Sequence, residues 1–124
     1  MAGLRIDRLK KRPEFLAVAA TSLRYATPGV VVQARPAPES ATPVSPARFG
    51  FTATRKLGGA VQRNRARRRL KAAAAMLAPE RAKPGVDYVF VARAGTIDRP
   101  WQDLLRDVGQ AMERALTSPP RPRR

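Results

Sequence analysis

The sequence contains no cysteine and no histidine. Those two absences remove disulfide staples, the usual zinc ligand sets, thiol nucleophiles and the imidazole base of most hydrolytic triads. Acidic side chains are sparse as well, 9 in 124 residues: Asp7, Glu14, Glu39, Glu80, Asp87, Asp98, Asp103, Asp107 and Glu113. A metal-dependent nuclease needs several carboxylates converging on one point. Here Asp98 and Asp103 read as helix-start residues and Asp87 opens a strand, so neither catalytic residues nor metal ligands are expected. Aromatics make up 6%, so the core must be aliphatic and alanine-rich. No apolar run is long enough to cross a bilayer. Met1 to Arg12 lacks the apolar block and cleavage site of a secretory signal. A cytoplasmic location is expected, with no membrane partner and no small-molecule substrate.

What the chain does have is positive charge. Lys and Arg total 25, for a formal net charge of +16 and a pI near 11.8. A folded chain of this size repels itself at that charge unless an anion compensates. Nucleic acid is the first candidate partner and an anionic membrane surface the second. The length suits a single domain, and 44% hydrophobic residues suffice for a core.

Residues 13–20, Pro13-Glu14-Phe15-Leu16-Ala17-Val18-Ala19-Ala20, read as a first helix, with proline and an acid in its first turn. Pro28-Gly29 marks a break, and Val30-Val31-Val32 is β-branched and strand-like. Residues 35–47 hold Pro36, Pro38, Pro43 and Pro46 and read as the loop of a hairpin. From Arg48 to Thr54 the pattern alternates, with Phe49, Phe51 and Ala53 on one side and Arg48, Gly50, Thr52 and Thr54 on the other. A glycine turn then feeds a helix from about Val61 to Leu77, which Pro79 and Pro84-Gly85 close. Val86 to Ala92 is nearly continuous apolar, as in a central strand covered on both faces. Asp98 is expected to cap a last helix with Pro100 in its first turn and an apolar stripe of Trp101, Leu104, Leu105, Val108, Met112, Ala115 and Leu116. A single domain is thus expected over 1–116, and the basic, proline-rich tail 117–124 is expected to be unstructured.

The stretch Arg55 to Lys71 is the informative one. At 100° per residue, Ala66, Leu70, Ala73 and Leu77 share one stripe, and Asn64, Arg67, Arg68 and Lys71 the opposite side. Arg63 and Arg69 flank the stripe, where their stems can cover core. The cations crowd the first turns of the helix, the wrong end for its dipole, and repel one another at (i, i+4). Folding alone does not favour this arrangement; arriving phosphates would relieve both costs. A charge run is more often just a solvated face. Here, however, it lies on a periodic helix that no acid interrupts. The alanine-dominated apolar side also argues against a membrane-surface helix.

Lys56-Leu57-Gly58-Gly59-Ala60-Val61-Gln62-Arg63-Asn64-Arg65-Ala66-Arg67-Arg68 closely resembles the signature of the bacterial ribonuclease P protein subunit. The likeness extends to Arg48-Phe49-Gly50-Phe51-Thr52, to Asp87-Tyr88-Val89-Phe90-Val91-Ala92-Arg93, and to Arg8-Leu9 and Glu14-Phe15. It implies an α+β two-layer sandwich of ribosomal-protein-like fold, ordered α-β-β-β-α-β-α. One mainly antiparallel sheet and a left-handed β-α-β crossover are part of what it implies. It implies a partner, the ribonuclease P RNA subunit, that removes the 5′ leader of precursor tRNA using Mg²⁺, the protein itself binding no cofactor. Arg55, Lys56, Arg63, Asn64, Arg65, Arg67, Arg68 and Lys71 become the expected RNA-binding set. Phe15, Gln33 and Phe51 become the expected cleft for the single-stranded leader, where an aromatic can stack on a base. The family often has a second aromatic where Ala19 stands here and one on the first strand where Gln33 stands. A structural RNA-binding protein of ribosomal type is the alternative that composition alone leaves open, and an autonomous nuclease the least favoured.

Overall fold

The computed structural model describes residues 5–21 and 23–117. The expected tail lies outside the described residues except for Thr117. Five strands form one sheet: β1 (Ile6–Arg8), β2 (Arg24–Thr27), β3 (Val30–Arg35), β4 (Ala47–Thr52) and β5 (Asp87–Ala92). The helices are α1 (Arg12–Ala20), α2 (Ala60–Arg81), the short α3 (Ala94–Asp98) and α4 (Trp101–Ala115), with a 3-10 turn at Arg55–Leu57.

The sheet order is β1-β4-β5-β3-β2. It is mixed: β2 with β3 and β3 with β5 are antiparallel, whereas β1 with β4 and β4 with β5 are parallel. The α+β class and the strand–helix order therefore stand, with β1 and α3 added and more parallel pairing than expected. β5, the apolar run, lies at the centre. It separates β3 from β4, so the loop after Arg35 is not a hairpin loop: it joins strands that do not pair. The real hairpin is β2–β3, turned at Pro28-Gly29. A two-residue connection between antiparallel neighbours is the geometry such a turn serves.

Strand alternation sorts the side chains into two faces. On one, Val30, Val32, Ala34, Phe49, Tyr88 and Phe90 pack under α2 and α4 with Leu70, Leu104, Val108 and Met112. Phe49 meets Tyr88 and Phe90 edge-on, and Phe51 stacks on Phe90 with centroids 5.0 Å apart. On the other face α1 covers a smaller cluster of Leu9, Val18 and Val89, with Phe15 and Val91 at its margin.

Two boundaries differ from expectation. Helix α2 runs through Pro79 to Arg81. The missing N–H falls in the last turns, and α4 holds that end: Ala78 is buried and Arg81 donates to Glu113 Oε2 at 3.1 Å. Asp98 ends α3 and does not cap α4, whose N-cap is Pro100. The turn of α3 is closed by Thr96, whose Oγ1 accepts from Arg93 N–H and donates to the Gly29 carbonyl.

Candidate RNA interface

Helix α2 starts where Gly58 turns the chain with φ 124°, a left-handed conformation that favours glycine. Gly59, the N-cap, has no side chain to cap the first-turn N–H groups, which remain open to an anion. Beyond that start the helix divides lengthwise. Ala66, Leu70, Ala73, Ala74 and Ala78 are buried against the sheet and α4. Asn64, Arg68 and Lys71 are exposed on the far side, with Arg67 half-buried beside them. Together with Val61 these four line a shallow concavity of about 450 Å³. Arg67 Nη2 donates to Asn64 Oδ1 at 2.7 Å, which sets the two side chains as one unit. The expected grouping of Asn64, Arg67, Arg68 and Lys71 is what the fold brings together.

The remaining candidates are placed differently. Arg55 and Lys56 are exposed on the 3-10 turn just before the helix. Arg63 is half-buried, and its Nε has no hydrogen-bond partner among the described residues. Arg65 turns to the other flank, donating Nε–H to the Ile97 carbonyl at 3.0 Å. Arg69 does more of the same: it donates to the Thr96 and Arg99 carbonyls at 2.8 and 2.6 Å, and its guanidinium lies 5.9 Å from the Trp101 ring centre. Burial, and secondarily the charge of Arg65, lowers the pKa of Arg69. These two arginines thus tie α3 and the start of α4 to α2. Among the described residues, none of the eight RNA-binding candidates forms an ion pair. Their charge is uncompensated by the fold.

On the opposite face, Phe15 lies over Gly50. A Cβ there would fall 2.4 Å from the Phe15 ring, so β4 has a glycine because α1 brings an aromatic onto it. Gln33 shares this face, directly across from Val89, which in turn lies opposite Gly50. Phe51 does not. Its register partner is Phe90, and it stacks on that ring under α2. Of the three residues expected to line a cleft, the fold therefore groups Phe15 and Gln33 on one face and sets Phe51 on the other, because adjacent strand positions point to opposite faces. Ala19 and Leu16 are exposed on α1 nearby.

One arrangement went unread in the sequence. Arg48 donates to Asp87 through Nε and Nη2 at 2.8 and 2.7 Å, and to Glu14 Oε2 through Nη1 at 2.6 Å. The other oxygen of Glu14 accepts the Lys10 and Lys11 N–H groups at 3.0 and 2.9 Å. Those backbone bonds, from Lys11 and then Lys10, hold the Glu14 carboxyl below its usual pKa, with Arg48 assisting. The hydrogen bond that Arg48 donates to Asp87 raises the pKa of Arg48. The network pins the first turn of α1 to the sheet. Its signal was available: Arg48 alternates onto the Gly50 face, and Asp87 opens a strand. Only the parallel register Arg48↔Asp87, however, makes them partners.

Among the described residues, no three His, Cys, Asp or Glu side chains gather as metal ligands would, and no helix is long and apolar enough to cross a membrane.

Known proteins share this sequence pattern and this fold. The family model described as Ribonuclease P matches residues 5–116. The ribonuclease P protein component of Paramagnetospirillum magneticum is 46% identical over 110 residues, covering 89% of this chain and 83% of that one. The Caulobacter vibrioides component is 48% identical over 109 residues, covering 88% and 70%. Among solved structures, the RNase P protein from Thermotoga maritima superposes with a TM-score of 0.72 at 21% identity, covering 87% of this chain and 96% of that one. That from Staphylococcus aureus gives 0.69 at 20%, covering 86% and 92%. At such identity these two speak to the fold alone; the family rests on the sequence matches, and by them the chain belongs to the bacterial ribonuclease P protein component family.

Proposed function

We propose that this protein serves ribonuclease P by binding its RNA subunit through α2 and the single-stranded 5′ leader of precursor tRNA along the α1 face. Leader removal to give the mature tRNA 5′ end is then the work of the RNA, with Mg²⁺ as the RNA's requirement. The observation that carries the reading is the row Asn64, Arg67, Arg68 and Lys71: exposed or half-exposed, set on a rigid helix, and without an acidic partner among the described residues. Arginine forks on a preformed helix match phosphate oxygens in pairs. The buried Nε of Arg63 is a donor that a phosphate oxygen would satisfy, and an unmade buried hydrogen bond costs about 1–3 kcal/mol. On the other face, Phe15 supplies an aromatic surface and Gln33 an amide beside it, in keeping with base stacking and edge contacts. The family's aromatic positions are Ala19 and Gln33 here, so stacking on this face rests on Phe15 alone.

Reconstitution tests the proposal. The protein alone should cleave no precursor tRNA. Added to the cognate RNA subunit at low Mg²⁺, it should raise cleavage at the 5′ end of the tRNA. Cleavage by the repurified protein without RNA, or an RNA subunit indifferent to the protein, contradicts it.

A further inference from the structure

The exposed row of α2 does not stop at Lys71. Asn64, Arg68, Lys71 and Ala75 follow at spacings of four, three and four, so they lie on one line along the helix, which the buried Ala78 continues. At Lys71 that line changes from cationic to small, and there a second groove opens, of about 400 Å³, between α2 and the β1–β4 edge of the sheet. Lys71 lines this groove and the basic concavity alike. Its volume falls in the range of small-ligand clefts, about 300–1,000 Å³. The walls are apolar: Phe49 and Phe51 from β4, Ile6 from β1, and the alanines of α2. Ile6 is 36% exposed, one of few large apolar side chains left open to solvent.

We infer that this groove seats an unpaired base of the ribonuclease P RNA subunit, continuing the α2 interface past Lys71. The inference rests on the proposed function for its partner and adds a site to it. Three observations select that occupant. The groove is continuous with the basic concavity through a shared lysine, so a strand whose phosphates follow Arg68 and Lys71 delivers its next nucleotide to the groove. The wall carries a half-buried phenylalanine, Phe51, already stacked on Phe90 at an interplanar angle of 15°, and a base extends such a stack without sequence preference. The mouth is cationic, with Lys71 and the exposed Arg8, and its one carboxylate, Asp7, is offset by Arg5 at 3.5 Å. The leader is the less fitting strand, because Phe15 and Gln33 place its cleft on the opposite face of the sheet.

Hydroxyl-radical footprinting of the full chain, free and bound to the RNA subunit without precursor tRNA, tests this. Ile6 and Phe51 should become protected, while Leu16, which is 54% exposed on α1 over the opposite face of the sheet, should not. Ala75→Trp, at an exposed helix position, should fill the groove and weaken binding of the RNA subunit about tenfold, the scale of one lost base stack. Arg68→Ala is measured in parallel. If it weakens binding while Ile6 and Phe51 stay unprotected or Ala75→Trp binds as wild type, the groove is refuted and the α2 interface survives. If Arg68→Ala has no effect on binding, the underlying reading fails and the groove's occupant with it. Protection that appears only when precursor tRNA is added assigns the groove to the leader and overturns the inference. Should Ala75→Trp fail to fold, the footprint of the unaltered protein still decides.

Discussion

The two faces of the sheet are held by different physics. Beneath α2 and α4, Tyr88, Phe90, Leu70, Leu104, Val108 and Met112 are fully buried and the aromatics interlock edge-to-face. Beneath α1 the apolar cluster is small, and a charged network, Glu14–Arg48–Asp87, fastens the helix at its first turn. The first face is a closed core whose outer helix can spend its exposed side on cations. The second stays partly open, with Phe15 and Gln33 at its surface. Under the proposed function, the packed face supports the open one.

Breaking the packed face should have the largest effect. Leu70→Ala removes a fully buried side chain between α2 and the sheet and should cost about 2–5 kcal/mol in stability. Chemical denaturation measures this; a loss under 1 kcal/mol contradicts the assignment of that face as the core. RNA affinity of the remaining folded fraction should be near normal.

Breaking the charged fastening should do less to stability and more to the α1 face. Arg48→Ala leaves the buried Asp87 carboxylate without its bidentate partner. After allowance for the partial exposure of Arg48, a cost of about 1–3 kcal/mol is expected. Hydrogen exchange should show α1 opening while α2 and α4 remain protected. Exchange that rises evenly over the whole chain argues against a local fastening.

The smallest expected effect is with pH. Glu14 has a folded-state pKa below its ordinary 4.5. Its contribution is therefore complete above the unfolded-state value and is lost as pH falls through the depressed folded-state value. Stability should decline on acidification from pH 5, and Glu14→Gln should flatten part of that decline. An identical acid profile in the variant removes Glu14 from the account.

The same contrast explains what the sequence disclosed. Helix α2 was legible because its period is long and its two sides differ in chemistry, and β5 because a strand covered on both faces is apolar throughout. The pairing of strands was not legible. Nothing in residues 35–47 says that β5, forty residues on, inserts between β3 and β4 and turns an apparent hairpin into a long connection. β1 has three residues and exists through its parallel pairing with β4. The extension of α2 past Pro79 depends on α4, which sequence proximity does not reveal. For the site, the row Asn64, Arg67, Arg68 and Lys71 followed from helical phase alone, whereas Arg65 was claimed by α3 and Phe51 by the core. Both depend on what packs alongside. The Arg48 network was hidden for the same reason, since its three members lie 34 and 39 residues apart along the chain.

The claim that α2 separates folding from RNA binding along its two sides is tested most directly by Arg68→Ala. Affinity for the RNA subunit should be titrated against salt, beside thermal melts of the free protein. Arg68 is exposed and without an ion-pair partner among the described residues, so the melt should be unchanged. Binding should weaken, and the slope of log K against log[salt] should flatten by about one unit, as when a phosphate contact is lost. An early melt with unaltered affinity and slope would show that Arg68 serves the fold and that the functional side of α2 lies elsewhere.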